Sequence, residues 1–144
     1  MDYRINEGTF TIPANAQDRS VNMLLLNQGP GGLSLVVTRD QVQQGEDLDA
    51  FMTRQLRTLA SQVKGFKQQD RRDIQAGPMR LAGLQVTTSF KQNGAGIHQR
   101  QTVLMLGGAA VLVLTLTCAS PLTAEQDAYA RQLLDSFIPA AASA

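Results

Sequence analysis

VLMLGGAAVLVLTL, residues 103–116, is the most apolar stretch of the chain and carries no charge. Whether it enters a membrane decides how everything around it is read. A spanning helix needs roughly 20 apolar residues, and this run ends between Gln99, Arg100 and Gln101 on one side and Thr117, Cys118 and Pro121 on the other. Gly107 and Gly108 sit in its middle, between runs rich in Val, Leu and Thr. That is the pattern of two strands joined by a tight turn, so the stretch predicts a hairpin, and the question becomes what so much apolar strand packs against.

With 144 residues, the chain is long enough for one domain that buries about two thirds of the surface its unfolded form exposes. We expect a single domain over residues 1–139 and a small frayed tail at 140–144. One cysteine, Cys118, excludes an internal disulfide framework. The opening MDYRINEGTF lacks the basic and apolar regions of a signal peptide, so a cytoplasmic location is expected. A net charge of +1 provides no field for nucleic acid or anionic lipid, which argues against nucleic-acid partners.

The elements follow from local pattern. YRI and TFTIP read as a short strand or hairpin ending at Pro13. DRSVNMLLLN, the turn residues QGPGG and LSLVVTRD make a hairpin over residues 19–39. The period then changes: Leu48, Phe51, Met52, Leu56, Leu59 and Val63 recur at helical spacing after the acids Asp47 and Asp49. FKQQDRRDIQ, LAGLQVTTSFKQ and GIHQRQTVLML return to strand, and AAVLVLTLTC closes the meander. Thr123 and Gln126 stand at capping-box spacing before a last helix with Tyr129, Leu133, Leu134, Phe137 and Ile138 on one face, stopped by Pro139. The expected fold is α+β, an antiparallel sheet of six to seven strands with two amphipathic helices on one face.

The other sheet face should then be polar, yet the strands do not offer a polar face. Val21, Met23 and Leu25 alternate with Asn22, Leu24 and Leu26; Leu33, Leu35 and Val37 alternate with Ser34, Val36 and Thr38; Gln99, Gln101 and Val103 alternate with Arg100, Thr102 and Leu104. Both sets are apolar with neutral amides and hydroxyls mixed in. A partner, a second copy or the N-terminal segment would have to cover the surplus. Which face the last strand offers depends on whether the GGAA turn uses an even or odd number of residues.

Catalytic groups are few. His98 and Cys118 would lie opposite each other only if the glycine turn has three residues, and a strand thiol is ordinarily a packing residue. No further His or Cys exists to build a metal site, and neither GPGG nor NGAG sits between a strand and a helix as a phosphate loop must. No enzyme activity, cofactor or metal is expected. The cluster Lys64, Lys67, Arg71 and Arg72, balanced by Asp70 and Asp73, reads as a solvated edge strand.

Taken together, QDRSVNMLLL, GGLSLVVTRD, LDAFMTRQLRTLASQVKGF, HQRQTVLMLGG and ARQLLDSF resemble, over nearly the whole chain, the Eag chaperones, effector-associated proteins of bacterial type VI secretion with a PsbP-like fold. The resemblance implies a cytosolic homodimer whose second sheet face is a concave apolar groove. That groove would hold the N-terminal transmembrane helices of a secreted effector before loading on the secretion spike, without inserting into a membrane itself. By position in the motifs, Val21, Met23, Gln99 and Gln101 carry the family's groove contacts, and alternation adds Leu25, Leu35, Val37 and Val103. The other reading of the same fold is a binding module for a lipid or another apolar small molecule.

Overall fold

In chain order the computed structural model, which describes residues 1–140, contains β1 (Asp2–Ile5), β2 (Gly8–Thr11), β3 (Asn22–Leu25), β4 (Ser34–Gln41), helix α1 (Leu48–Gln62), β5 (Lys64–Ala76), β6 (Leu81–Gln92), β7 (Ala95–Gly107), β8 (Ala110–Cys118) and helix α2 (Ala124–Asp135). Six strands form one antiparallel sheet in the order β3-β4-β8-β7-β6-β5, while β1 and β2 pair only with each other. This is the expected α+β architecture, with the N-terminal hairpin set apart from the main sheet. The expected tail at 140–144 lies, beyond Ala140, outside the described residues.

The apolar stretch is the β7–β8 hairpin. Gly107 and Gly108 take φ of 121° and 56°, values that favour glycine. Leu106 is bulged out, because the register slips between Met105 and Gly107. From Met105 inward the strands pair as Val103 with Val113 and Leu104 with Leu112, ending with His98 opposite Cys118. The bulge thus delivers the pairing of a three-residue turn, which answers the parity question.

Helix α1 starts where Asp47 accepts a hydrogen bond from the backbone N–H of Ala50 at 2.8 Å, satisfying a donor the first turn leaves open. Just before it, Glu46 accepts two bonds from Arg54, each 2.9 Å, and one from the Gln43 backbone at 3.0 Å. The Arg54 hydrogen bonds hold the Glu46 carboxyl below its usual value of about 4.5. A lowered carboxylate pKa stabilises the fold above pH 4.5 and stops doing so as the pH falls through the lower, folded value. Thermal melts from pH 7 to pH 3 should therefore show Glu46→Gln melting below the wild type at pH 7, with the gap closing in the acid limb.

Phe51, Met52 and Leu56 of α1 pack on Leu84, Val86, Val103 and Val111. A hydrogen-bonded tie fixes the helix from the side: Arg71 donates to Asp49 and to Thr53, each at 2.9 Å. It reaches them from an irregularity in β5 between Gln69 and Arg72, where Asp70 has a φ of 56°. Such bulges re-aim a side chain.

Helix α2 opens on the expected capping box of Thr123 and Gln126. It packs with Leu33, Leu35, Leu116, Cys118 and Ala130 in one cluster and with Ala76, Leu104 and Leu112 in another. Val111 and Val113 side with α1 whereas Leu112, Leu114 and Leu116 side with α2. Successive strand residues point to opposite faces, so the helices lie on opposite faces of the sheet, and the expectation of both on one face is corrected. Alternation defines two residue sets but does not say which helix each set receives. The helix also ends earlier than Pro139, at Asp135, where the Ser136 N–H donates to Gln132 O at 3.0 Å and the Phe137 N–H to Leu134 O at 3.1 Å.

Gln126 does more than cap. Its Oε1 accepts from the Thr123 N–H at 3.0 Å, while Nε2 donates to the carbonyls of Gln28 and Pro30, each at 2.8 Å. The side chain is buried and pins the β3–β4 loop to α2. Gln126→Leu leaves those groups unpaired, at a cost of about 2–3 kcal/mol. A lowering of the melting temperature by roughly 5–10 °C should be read in a thermal melt.

Candidate functional site

Register carries one set of side chains straight across four strands. Met23 lies opposite Val36, Val36 opposite Thr115, and Thr115 opposite Gln101. The neighbouring row is Leu25, Ser34, Thr117 and Gln99. A third row, Thr38, Val113 and Val103, continues the same face. Helix α1 covers this third row and the strands beyond it, and the first two rows form a floor beside the helix that is open at the β3 end and half-buried to buried towards β7.

The floor is graded. At the β3 end Met23 and Leu25 are 68% and 69% exposed, and Val21, just before the strand, is 58% exposed. Towards the centre the surface turns to hydroxyls and amides: Gln101 donates from Nε2 to Gln99 Oε1 at 3.2 Å, and Gln99 donates from Nε2 to Thr117 Oγ1 at 3.2 Å. This chain of neutral donors and acceptors ties the two amides together between an aliphatic edge and the α1 wall, with Gln99 half-buried and Gln101 buried at 9% exposure. Thr88, opposite Gln99, adds a buried hydroxyl with no hydrogen-bond partner in the structure.

Of the residues expected from sequence, the structure brings together Val21, Met23, Leu25, Gln99 and Gln101. Val103 is on the same face but lies under α1 at 1% exposure, so it is core. Leu35 and Val37 point the other way, towards α2. The reason is the loop between β3 and β4, which pairs each odd-numbered residue of β3 with an even-numbered one of β4. Sequence reading missed Val36 for the same reason, and Thr115 and Thr117 because their face is set by the β7–β8 turn and its bulge.

On the α2 face a second apolar feature appears, a cleft of about 440 Å³ between the sheet and the end of α2, lined by Leu24, Leu35, Val37, Leu114, Phe137 and Ile138 among others. The Cys118 thiol is buried nearby and donates to Pro30 O at 3.3 Å. It is therefore turned into the β3–β4 loop, although His98 is its cross-strand partner. Among the described residues no cluster of His, Cys, Asp or Glu has the arrangement of a metal site, and no helix is long and apolar enough to cross a membrane.

The sequence profile of the DcrB family matches residues 7–136, from the N-terminal hairpin to the end of α2. The chain belongs to the DcrB family. Effector EagT6 of Pseudomonas aeruginosa is 29% identical to this DcrB-family chain over 139 residues, 95% of this chain and 94% of the relative. The resemblance to Eag-type proteins read from the sequence motifs is thereby borne out. The crystal structure of PA94, a Pseudomonas aeruginosa protein of unknown function, has a TM-score of 0.75 to this DcrB-family fold at 27% identity, covering 97% of this chain and 96% of that one.

Proposed function

We propose that this protein is a cytoplasmic, non-enzymatic chaperone, a homodimer of PsbP-like fold, that shields the N-terminal transmembrane helices of a type VI secretion effector before it is loaded on the secretion spike. The observation that carries the reading is the floor beside α1, where the exposed side chains of Val21, Met23 and Leu25 share one sheet face, across β4, with the Gln101–Gln99–Thr117 ladder.

A membrane helix is apolar on all sides, with small-residue patches and occasional polar spots. Its receptor needs broad aliphatic area, which stabilises a complex by roughly 25 cal/mol for each Å² buried. Methionine adapts its shape to varied surfaces, and the half-buried Gln99 and Thr117 offer neutral hydrogen-bonding groups to a polar spot. The likeness to Effector EagT6 supports an effector as the partner.

The test is co-expression with the N-terminal hydrophobic segment of the effector encoded beside this protein, followed by detergent-free gel filtration with light scattering. A soluble complex of this protein and the segment is expected. Aggregation of the segment while this protein elutes alone would overturn the reading. The cleft on the α2 face favours a second reading, a carrier of a lipid or similar apolar molecule. Native mass spectrometry of the purified protein, with a bound lipid and no affinity for the segment, would establish it instead.

A further inference from the structure

The two edges of the main sheet are built differently. β5 carries Lys64, Lys67, Asp70, Arg71, Arg72 and Asp73 and is broken by two register shifts, the charges and irregularities that keep a free edge from pairing. β3 has neither. From Val21 to Leu26 no residue is charged and no proline intervenes, and the pairing with β4 runs without a shift. Leu24 is exposed on the α2 face, as Met23 and Leu25 are on the other.

Its backbone is open as well. The Leu26 N–H donates to Leu33 O at 3.1 Å, so in the alternating antiparallel pattern Asn22, Leu24 and Leu26 bond to β4. The N–H and C=O groups of Val21, Met23 and Leu25 then point outward.

We propose that this edge is the seam of the homodimer, with β3 of one copy pairing antiparallel to β3 of a second copy about a two-fold axis at Met23. The inference deepens the chaperone reading and rests on its dimer. A client helix cannot fill the edge, because its own backbone groups are already bonded internally. The β1–β2 hairpin of the same chain is tied beside Ser20 by a hydrogen bond to Tyr3, 3.0 Å long, and leaves the edge bare. A like strand fits. About Met23 the outward-pointing residues meet each other, Met23 opposite Met23 and Val21 opposite Leu25. Opposed positions then share parity, so the two open floors fall on one side of a continuous sheet. Arg19 meets Asn27 and Asp18 meets Gln28, so no like charges are brought together.

The test uses the full chain without client. Light scattering should give a dimer for the wild type and a monomer for Leu24→Lys, which places a charge on the seam but none on the floor. Because a variant that misfolds also loses its dimer, cysteines introduced singly at positions 22, 23 and 24 give an independent readout, with Cys118 too buried to compete. Hydrogen-bonded partners across an antiparallel pair have Cα atoms about 5.5 Å apart, within disulfide reach, and only at Met23 does a residue face its own copy. Mild oxidation should therefore cross-link Met23→Cys at least tenfold faster than Asn22→Cys or Leu24→Cys. A monomeric wild type, or fastest cross-linking at 22 or 24, overturns the seam. A wild type that is monomeric and still holds the transmembrane segment would refute the seam and leave client binding standing, and a cross-linked wild-type-like dimer that holds no segment would do the reverse.

Discussion

Met23→Asp is expected to abolish binding of the transmembrane segment while the protein stays folded. Met23 stands on the open floor at 68% exposure, so the folded chain alone tolerates a charge there, at the cost of some strand propensity, under about 1 kcal/mol. The complex does not. Covering an unpaired carboxylate with an apolar helix costs about 3 kcal/mol or more, which corresponds to a loss of over 100-fold in affinity. Pull-down of a tagged segment, with circular dichroism as the check on folding, reads both halves of the expectation. Because Met23 also lies at the proposed seam, Leu24→Lys is the companion variant: one residue on, it faces the opposite way. Retained binding by Leu24→Lys within about tenfold, together with its loss in Met23→Asp, assigns the client to the α1 side of the sheet. Equal binding by both variants would remove the client from this floor.

The second large effect is structural. Phe51 is fully buried between α1 and the sheet, packed among Met52, Leu56, Leu84, Val86, Val103 and Val111, with the Arg54 guanidinium 5.1 Å from its ring centroid. Phe51→Ala should lower stability by about 3–5 kcal/mol, from lost transfer energy and the cavity left behind. A domain of this kind has roughly 5–15 kcal/mol in total, so the melting temperature should fall by roughly 10 °C. Denaturant titration with an unchanged slope would locate the effect in the folded state. A change under 1 kcal/mol would mean that α1 does not anchor this face. Loosening α1 also exposes the third row of the face, so the variant should aggregate on heating more readily than its stability alone dictates.

Much of this architecture was legible in the chain. The helical spacing from Leu48 to Val63, the turn residues QGPGG and the capping pair Thr123 and Gln126 each act within a few residues, and each forms the element it predicts. The candidate site was legible only in part. Val21, Met23 and Leu25 were grouped correctly because they share one strand, and Gln99 with Gln101 for the same reason. Joining strands was harder: which residues of β4 share a face with Met23 depends on one unit of loop length, and Leu35 and Val37 were placed on the wrong side by that unit. Val103 has the right parity but lies beneath α1. Where a helix lands is set by the whole sheet, and no short window of sequence carries it.

The bulge at Leu106 has a bearing on how this chain can change over generations. Were Leu106 drawn into the ladder opposite Val111, with no residue lost, β7 and β8 would take the plain two-residue register, in which Val103 meets Leu114 instead of Val113. Every side chain of β8 would then trade sides: Thr115 and Thr117 would leave the amide ladder, and Leu114 and Leu116 would be driven under α1. Insertions and deletions are usually tolerated in surface turns. Here a change of length spares the two faces only while Met105 keeps Val111 as its partner, so descendants should vary freely in length at the exposed residues 43–45 before α1 and, in this hairpin, at the bulged position alone.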